Sequence, residues 1–234
     1  MAKFKVDNQI IHYEVVGSSD FEQKTPILML HGNGEDMHIY DKVISRFGDS
    51  ECFVLMDSRL HGESEPTEEG SRHLSYERMA DDAIELMKHL GIHEYNIVGY
   101  SDGGIIALIM AKKTYDVSKV IAIGVNANPG GLTPAALRNI KSAYGKAKRK
   151  HREMLMEYNR LMLEEPNITL SDLSRIVAEV TILLGAKDKF IIRKHSESIA
   201  DALPHCSHVL VPDAGHDIPE THPQLLSDYI RTLL

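Results

Sequence analysis

The chain has 234 residues, of which 43% are hydrophobic, and this is enough for one large domain with a buried core. Its formal net charge of −8 and its pI near 5.9 argue against nucleic acid or an anionic membrane as the main partner. Two cysteines, Cys52 and Cys206, are too few for a disulfide scaffold. No apolar stretch approaches the roughly 18 residues that span a bilayer, and the N-terminus has no apolar leader. These features predict a cytoplasmic protein.

The thirteen histidines raise the question of a metal site. Residues 205–208 form the only local Cys/His group, without a second pair at zinc spacing, and no H-E-x-x-H motif occurs. We therefore expect no metal. The basic run 146–152 is expected to be a solvated helix face.

The chain begins with residues 3–16, which alternate apolar and polar side chains around Asp7 and Asn8 and predict an antiparallel hairpin at a sheet edge. Short apolar strands then alternate with helices, a pattern typical of a mostly parallel sheet with helices on both faces. The predicted strands cover 27–30, 53–56, 95–98, 120–123, 180–184 and 208–211. The predicted helices cover 39–47, 104–111, 224–234 and a stretch that Ser75 caps and that ends at Leu90, and residues 134–165 are predicted to be mostly helical.

The alternation breaks after Ala127 and resumes at Val180. Between them, Thr133 and Pro134 are typical of a helix start. We therefore predict a core formed by residues 1–127 and 172–234, with residues 128–171 inserted as a small helical cap. An insertion at the carboxyl end of the sheet is well placed to roof a pocket.

Residues 99–103, Gly-Tyr-Ser-Asp-Gly, lie between a predicted strand and a predicted helix. A serine between two glycines at such a junction is typical of a nucleophile elbow, in which the serine occupies a sharp turn. Ser101 is therefore the candidate nucleophile.

A serine hydroxyl needs a base to take its proton and a third group to orient that base. Asp188 lies in the loop after the predicted strand 180–184, and His216 lies in the loop after the last strand. All three residues follow carboxyl ends of strands, and the order Ser, Asp, His is that of a hydrolase triad. We predict Ser101, Asp188 and His216 as the catalytic residues.

The oxyanion of an acyl-transfer intermediate needs two preorganised N–H donors. One is expected from the residue after the nucleophile, the backbone of Asp102, at a helix N-terminus. The other is expected from the glycine-containing loop 31–34 after the third strand, where we assign it to the backbone of Asn33.

With these motifs the chain resembles the serine esterases of the α/β-hydrolase superfamily from end to end. Residues 57–64, DSRLHGES, match the superfamily's D-x-R-x-x-G-x-S loop, in which the resemblance implies bracing roles for Asp57 and Arg59. The resemblance implies an α/β-hydrolase fold with a mostly parallel eight-stranded sheet. Residues 99–105 and the run Gly124-Val125-Asn126-Ala127 are also similar to the G-W-S-D-G-G and G-A-N-A motifs of the valacyclovir-hydrolase (biphenyl-hydrolase-like) branch, which cleaves amino-acid esters.

Asp102 also places a carboxylate beside the nucleophile. At about 4–5 Å from an oxyanion, its repulsion would be ~3–4 kcal/mol at an effective dielectric near 20. The side chain could point away, pair with a protein cation, or pair with a cation on the substrate. In the branch that the chain resembles, the matching aspartate recognises the α-ammonium group of the substrate, so Asp102 is also a substrate-binding candidate.

The predicted activity is hydrolysis of a small carboxylic ester through an acyl-serine intermediate, without a cofactor. The same residues could instead cleave an amide, a thioester or a vinylogous C–C bond, and a perhydrolase side activity is an alternative. A rival of another class is a ligand-binding or signalling protein that keeps the triad and turns over slowly. Sequence patterns give no prediction of the oligomeric state.

Overall fold

A computed structural model describes residues 2–18 and 24–233 of the chain. Strands β1 (Ala2–Val6) and β2 (Gln9–Gly17) form the predicted antiparallel hairpin. The two turn residues, Asp7 and Asn8, have positive φ angles of 42° and 56°, which matches the right-handed twist of the flanking strands. The hairpin prediction is confirmed.

The remaining strands continue the sheet. They are β3 (Ile27–Leu30), β4 (Cys52–Met56), β5 (Glu65–Pro66), β6 (Tyr95–Tyr100), β7 (Val117–Ile123), β8 (Glu179–Gly185) and β9 (Cys206–Val211). Eight strands lie in the order β1-β2-β4-β3-β6-β7-β8-β9, and the two-residue β5 pairs with β2. All pairs from β4 to β9 along this order are parallel. The mostly parallel eight-stranded sheet is therefore confirmed.

Helices cover both faces of this sheet. In chain order they are α1 (Asp41–Ile44), α2 (Tyr76–His89), α3 (Asp102–Lys113), α4 (Pro134–Arg149), α5 (Glu153–Glu164), α6 (Leu170–Leu173), α7 (Arg193–Ala202), α8 (Ile218–Thr221) and α9 (Pro223–Leu233). Apolar residues of α2, α3 and α7 pack in one core, and those of α1, α8 and α9 pack in another. Strands with apolar side chains on both faces join the two cores, which is why their sequences are continuous apolar runs.

One helix prediction needs correction, and the prediction that residues 134–165 are mostly helical is confirmed with one interruption. The stretch predicted as one helix at 39–47 is a 3-10 turn, Met37–Tyr40, followed by the single-turn α1. The predicted helical region 134–165 contains two helices, because α4 ends at Arg149 and His151 adopts a positive φ of 51°. Residues 148–152 carry no apolar side chain, so a longer helix would bury nothing there.

Two other predictions concern helix ends. Ser75 precedes α2 as predicted, but its hydroxyl donates to Glu165 at 3.3 Å rather than capping its own helix. The Glu165 carboxylate instead accepts the backbone N–H of Tyr76 at 3.0 Å. The last predicted helix is confirmed to Leu233, and Leu234 lies outside the described residues.

Within the described parts of the chain, none of the helices has the length and apolar character needed to cross a membrane.

Candidate active site

Ser101 forms the turn between β6 and α3 by itself. Its backbone has φ 51° and ψ −114°, a conformation that costs a non-glycine residue on the order of 1–3 kcal/mol. The surrounding structure holds this turn, since the Ser101 N–H donates to the carbonyl of Ile123 at 2.8 Å. Gly103 lets α3 approach the sheet, because a Cβ at this position would overlap the Leu30 carbonyl. The serine hydroxyl is thereby presented at the carboxyl end of the sheet.

The structure brings Ser101 together with two residues from distant loops. His216 follows β9, and its Nε2 lies 3.1 Å from the Ser101 Oγ. Its Nδ1 lies 2.8 Å from Oδ2 of Asp188, which follows β8. The geometry places a base against the hydroxyl and a carboxylate behind the base.

The second oxygen of Asp188 is also held. Oδ1 accepts the backbone N–H groups of Phe190 at 2.7 Å and Ile191 at 3.0 Å. Burial alone would raise the pKa of the Asp188 carboxyl, but the bond to His216 and these backbone donors keep the pKa below its usual value. The carboxylate is therefore ionised at neutral pH and oriented towards the imidazole.

The imidazole of His216 is packed between neighbours that fix its plane. Phe190 stacks on it with ring centroids 5.0 Å apart, and Tyr100 contacts it at a tilted 5.4 Å. Gly124, at φ 61°, leaves room beneath the ring, where a Cβ would come within 2.8 Å of the His216 Cε1. Sequence reasoning did not single out Phe190, although its position two residues after Asp188 was a usable signal.

The loop after β3 carries the other predicted donor. The His31 Nε2 accepts the Ser58 N–H at 3.0 Å, so its Nδ1 carries the proton and donates to the Gly32 carbonyl at 2.7 Å. The backbone N–H groups of Asn33 and Asp102 have no acceptor among residues 2–18 and 24–233. A rigid loop and two unused donors thus lie beside the serine turn.

Comparison with known proteins decides the family. Residues 25–153, more than half of the chain, match the sequence profile of the alpha/beta hydrolase fold. The chain belongs to the α/β-hydrolase family. Over 93% of its length this hydrolase is 28% identical to the mouse serine hydrolase BPHL, 80% of which is covered.

Solved structures share the fold of this α/β-hydrolase. MGS-M2, an alpha/beta hydrolase enzyme from a deep-sea metagenome library, superposes with a TM-score of 0.83 at 21% identity, covering 99% of this chain and 96% of the other. A structure from a study of carboxylesterases of the thaumarchaeon Nitrososphaera gargenis gives a TM-score of 0.84 at 16% identity, covering 99% and 97%. The family match and the serine hydrolase relative identify the chain as a hydrolase, and the solved structures show that it shares their fold.

The Asp102 side chain of this hydrolase is buried, and its carboxylate already accepts hydrogen bonds from the protein. Only 3% of the residue is exposed, and Oδ2 accepts the Asn33 amide at 2.7 Å. The Tyr76 hydroxyl also donates to the carboxylate. Burial raises the pKa of Asp102 to about 6 in spite of these bonds. Among the described residues no lysine or arginine pairs with it, so the partners in place are neutral donors of the protein.

The Asn33 amide joins this site to the helices between β7 and β8. Its Nδ2 also donates to the Tyr158 carbonyl of α5 at 3.3 Å. The Tyr158 hydroxyl donates to the Leu60 carbonyl at 2.6 Å, and its ring stacks on His61 at 4.4 Å. Tyr158 therefore attaches α5 to the loops after β3 and β4. The sequence pattern gives no sign of these polar contacts of Tyr158.

The loop after β4 matches the bracing role that the resemblance implied. Asp57 is 2% exposed and accepts the N–H groups of Met37 at 2.9 Å and Glu63 at 2.8 Å. Arg59 is 1% exposed and makes two bonds to Asp82, at 2.6 and 2.7 Å. Neither Asp57 nor Arg59 lines the cavity at Ser101, so both residues stabilise the segments around the cavity through these hydrogen bonds.

A cavity of about 790 Å³ opens over Ser101. Its walls combine apolar and aromatic side chains with charged ones. The charged residues are Glu35, Asp102, Glu165, Lys187, Lys189, Asp213 and Asp217. Lys187 pairs with Asp213 at 2.6 Å.

In the described parts of the chain no three His, Cys, Asp or Glu residues cluster as metal ligands would.

Proposed function

We propose that this hydrolase cleaves small carboxylic esters through an acyl-serine intermediate on Ser101. The observation that carries the proposal is the continuous hydrogen-bonded chain from Ser101 through His216 to Asp188, at 3.1 and 2.8 Å. In the first step the Ser101 Oγ attacks the ester carbonyl while the His216 Nε2 takes its proton. The imidazolium then protonates the leaving alcohol, and Asp188 stabilises its charge. Water, activated by His216, hydrolyses the acyl-serine and restores the enzyme.

The negative charge that develops on the carbonyl oxygen needs donors already in place. We assign this role to the backbone N–H groups of Asn33 and Asp102, which lack an acceptor among the described residues. The Asp102 donor lies at the first position of α3, where the helix dipole favours negative charge. Loss of one such donor lowers kcat by about 10²–10³.

Residues 128–171 are proposed to act as the cap over this site. The support is that Met162 and Glu165, from this segment, line the cavity together with Ser101 and Asn33 of the core. The Tyr158 contacts attach the same segment to the catalytic loops. A cap formed in this way limits access of water and selects the substrate by shape.

The sequence also predicts a second role for Asp102, in which its carboxylate binds an ammonium group of the substrate. An ammonium group there would have to share the carboxylate with the Asn33 amide and the Tyr76 hydroxyl. Comparison of the Asp102→Asn variant with the wild type on matched charged and neutral esters tests this role.

The proposed reaction is tested with short p-nitrophenyl esters and a fluorophosphonate probe. We expect Ser101→Ala to lower kcat by roughly 10⁶ and to abolish labelling by the probe. Ser174→Ala is the matched control, because Ser174 is exposed and its hydroxyl bonds, among the described residues, only to the Ser171 carbonyl of its own helix turn. A Ser101→Ala enzyme that kept more than about a hundredth of the activity would contradict the mechanism.

A further inference from the structure

Glu35 is a cavity carboxylate with an unused oxygen. It follows the Asn33-Gly34 pair in the loop after β3, and its Oε2 accepts the Gly32 N–H at 3.1 Å. Its Oε1 makes no hydrogen bond within residues 2–18 and 24–233, and it is not among the fully enclosed polar atoms there. Because Glu35 lines the cavity that holds Ser101, this oxygen is available to a substrate.

The charge of Glu35 is uncompensated in the protein itself. No lysine or arginine forms an ion pair with it among the described residues. The charged groups that act on it are Glu220 and Asp102, which repel a carboxylate, and His216, which attracts it when protonated. Burial raises the pKa of Glu35 to about 7, and the Gly32 N–H offsets only part of this effect. A partly buried carboxylate of this kind gains most from a cationic partner.

The other cavity carboxylates already have partners or face water. Asp102 holds two neutral donors, and Asp213 pairs with a lysine. Glu165 accepts the first backbone N–H of α2, where the helix dipole compensates a negative charge. Asp217 is exposed. Glu35 is therefore the carboxylate of this set that combines cavity access, partial burial and a lack of compensating charge.

We propose that Glu35 binds a cationic ammonium group of the ester substrate and thereby makes the enzyme prefer positively charged esters. This inference rests on the proposed esterase function and names its substrate class. The position of Glu35 supports it, because Glu35 contacts Gly32, the neighbour of the proposed oxyanion donor Asn33. A bound ammonium group would neutralise a carboxylate that otherwise opposes the oxyanion. A neutral ester leaves that repulsion in place.

Two pairs of substrates test the proposal and locate the ammonium group. In the first pair the acyl part is L-alanyl or N-acetyl-L-alanyl on the same alcohol. In the second pair acetate is esterified to choline or to its uncharged isostere, 3,3-dimethylbutanol. The measured quantity is the ratio of kcat/KM for the charged ester to that for the neutral ester. Effects of a variant on the oxyanion loop cancel in this ratio, because both esters use the same loop.

Three variants are compared with the wild type. Glu35→Gln removes the charge and replaces one oxygen by an NH₂ group, but it keeps an oxygen acceptor for the Gly32 N–H, so the loop contact is retained. Asp102→Asn tests the alternative carboxylate. Glu220→Gln removes an exposed negative charge that lies near Glu35 but does not line the cavity. This variant is the control for a general change in the electrostatic potential of the cavity.

We expect the wild type to prefer the charged ester of at least one pair, and Glu35→Gln to lower that ratio by about tenfold to hundredfold. Glu220→Gln should change the ratio less than about threefold. A wild type without charge preference in both pairs, an unchanged ratio in Glu35→Gln, or a loss confined to Asp102→Asn would each overturn the proposal. Failure to hydrolyse the neutral and charged esters alike would refute the esterase function itself, which is a distinguishable result.

Discussion

Replacement of Asp102 by asparagine should stabilise the fold, and the gain should grow with pH. The carboxylate is 3% exposed, with its pKa raised to about 6 from an unfolded value of 3.8. A carboxyl whose pKa is raised by folding contributes its full stability below the unfolded pKa. This contribution is lost as the pH rises through the folded pKa, because ionisation is then easier in the unfolded chain. The ionised Asp102 therefore lowers the free energy of unfolding at neutral pH.

The size of this effect follows from the pKa difference. Each pKa unit corresponds to about 1.4 kcal/mol, so a fully ionised Asp102 costs about 3 kcal/mol. Near pH 5 the carboxyl is still mostly protonated in the folded state, and the cost is about 1.6 kcal/mol. The asparagine variant loses part of this stabilisation. Its NH₂ group is a donor and stands where the carboxylate offered a second oxygen to the Asn33 and Tyr76 donors. That loss does not depend on pH.

The assay is urea unfolding of both proteins at several values between about pH 5 and pH 8. The free energy of unfolding of Asp102→Asn minus that of the wild type should rise by about 1.4 kcal/mol across this range. The exposed Asp49→Asn is the control and should stay within about 0.5 kcal/mol at each pH. A difference for Asp102→Asn that is constant with pH, or that falls with pH, would refute the argument that burial dominates this carboxyl.

Two further predictions concern stability and are read from urea unfolding. Asp82→Ala removes the buried partner of the Arg59 guanidinium, which keeps a longer contact of 3.3 Å to the exposed Asp7, and should cost about 3 kcal/mol, whereas Glu85→Ala, which removes an exposed pair, should cost less than about 1 kcal/mol. Equal losses would show that burial does not set the strength of these pairs. Gly103→Ala should cost about 3 kcal/mol or more, because its Cβ would overlap the backbone at the end of β3. Gly145→Ala, in the interior of α4, would place a Cβ in ordinary contact with the Arg149 side chain at 3.6 Å and should instead stabilise by about 0.5–1 kcal/mol; a destabilised variant would contradict this reasoning.

The parts of the fold that could be predicted are those coded by local patterns. The buried strands β3, β6, β7 and β8 are short apolar runs, and the hairpin turn at Asp7 and Asn8 uses residues that tolerate positive φ. The serine turn is equally local, since Gly103 and the apolar run before it are visible in the sequence. Because strand ends meet at one edge of a parallel sheet, the proximity of Ser101, Asp188 and His216 also followed from the order of the elements.

The parts that could not be predicted depend on packing between distant segments. The partners of Asp102 are Tyr76 and Asn33, which lie 26 and 69 residues before it in the chain. The Tyr158 carbonyl contacts Asn33 across 125 residues. Glu35 had no motif to mark it, because its role depends on burial and on the absence of a nearby cation among the described residues. Such properties are fixed by the folded surroundings and leave little trace in residue order.

Stability and substrate preference are connected at this site through the same charges. Ser101 is held in a strained turn, while Asp102 and Glu35 lie buried or partly buried with raised pKa values of about 6 and about 7. A structure optimised for stability alone would replace both carboxylates, since neither has a cationic partner in the described chain. A cationic substrate supplies that partner only while it is bound. The free energy that the fold loses when Glu35 ionises without a cationic partner is therefore available to favour charged esters over neutral ones.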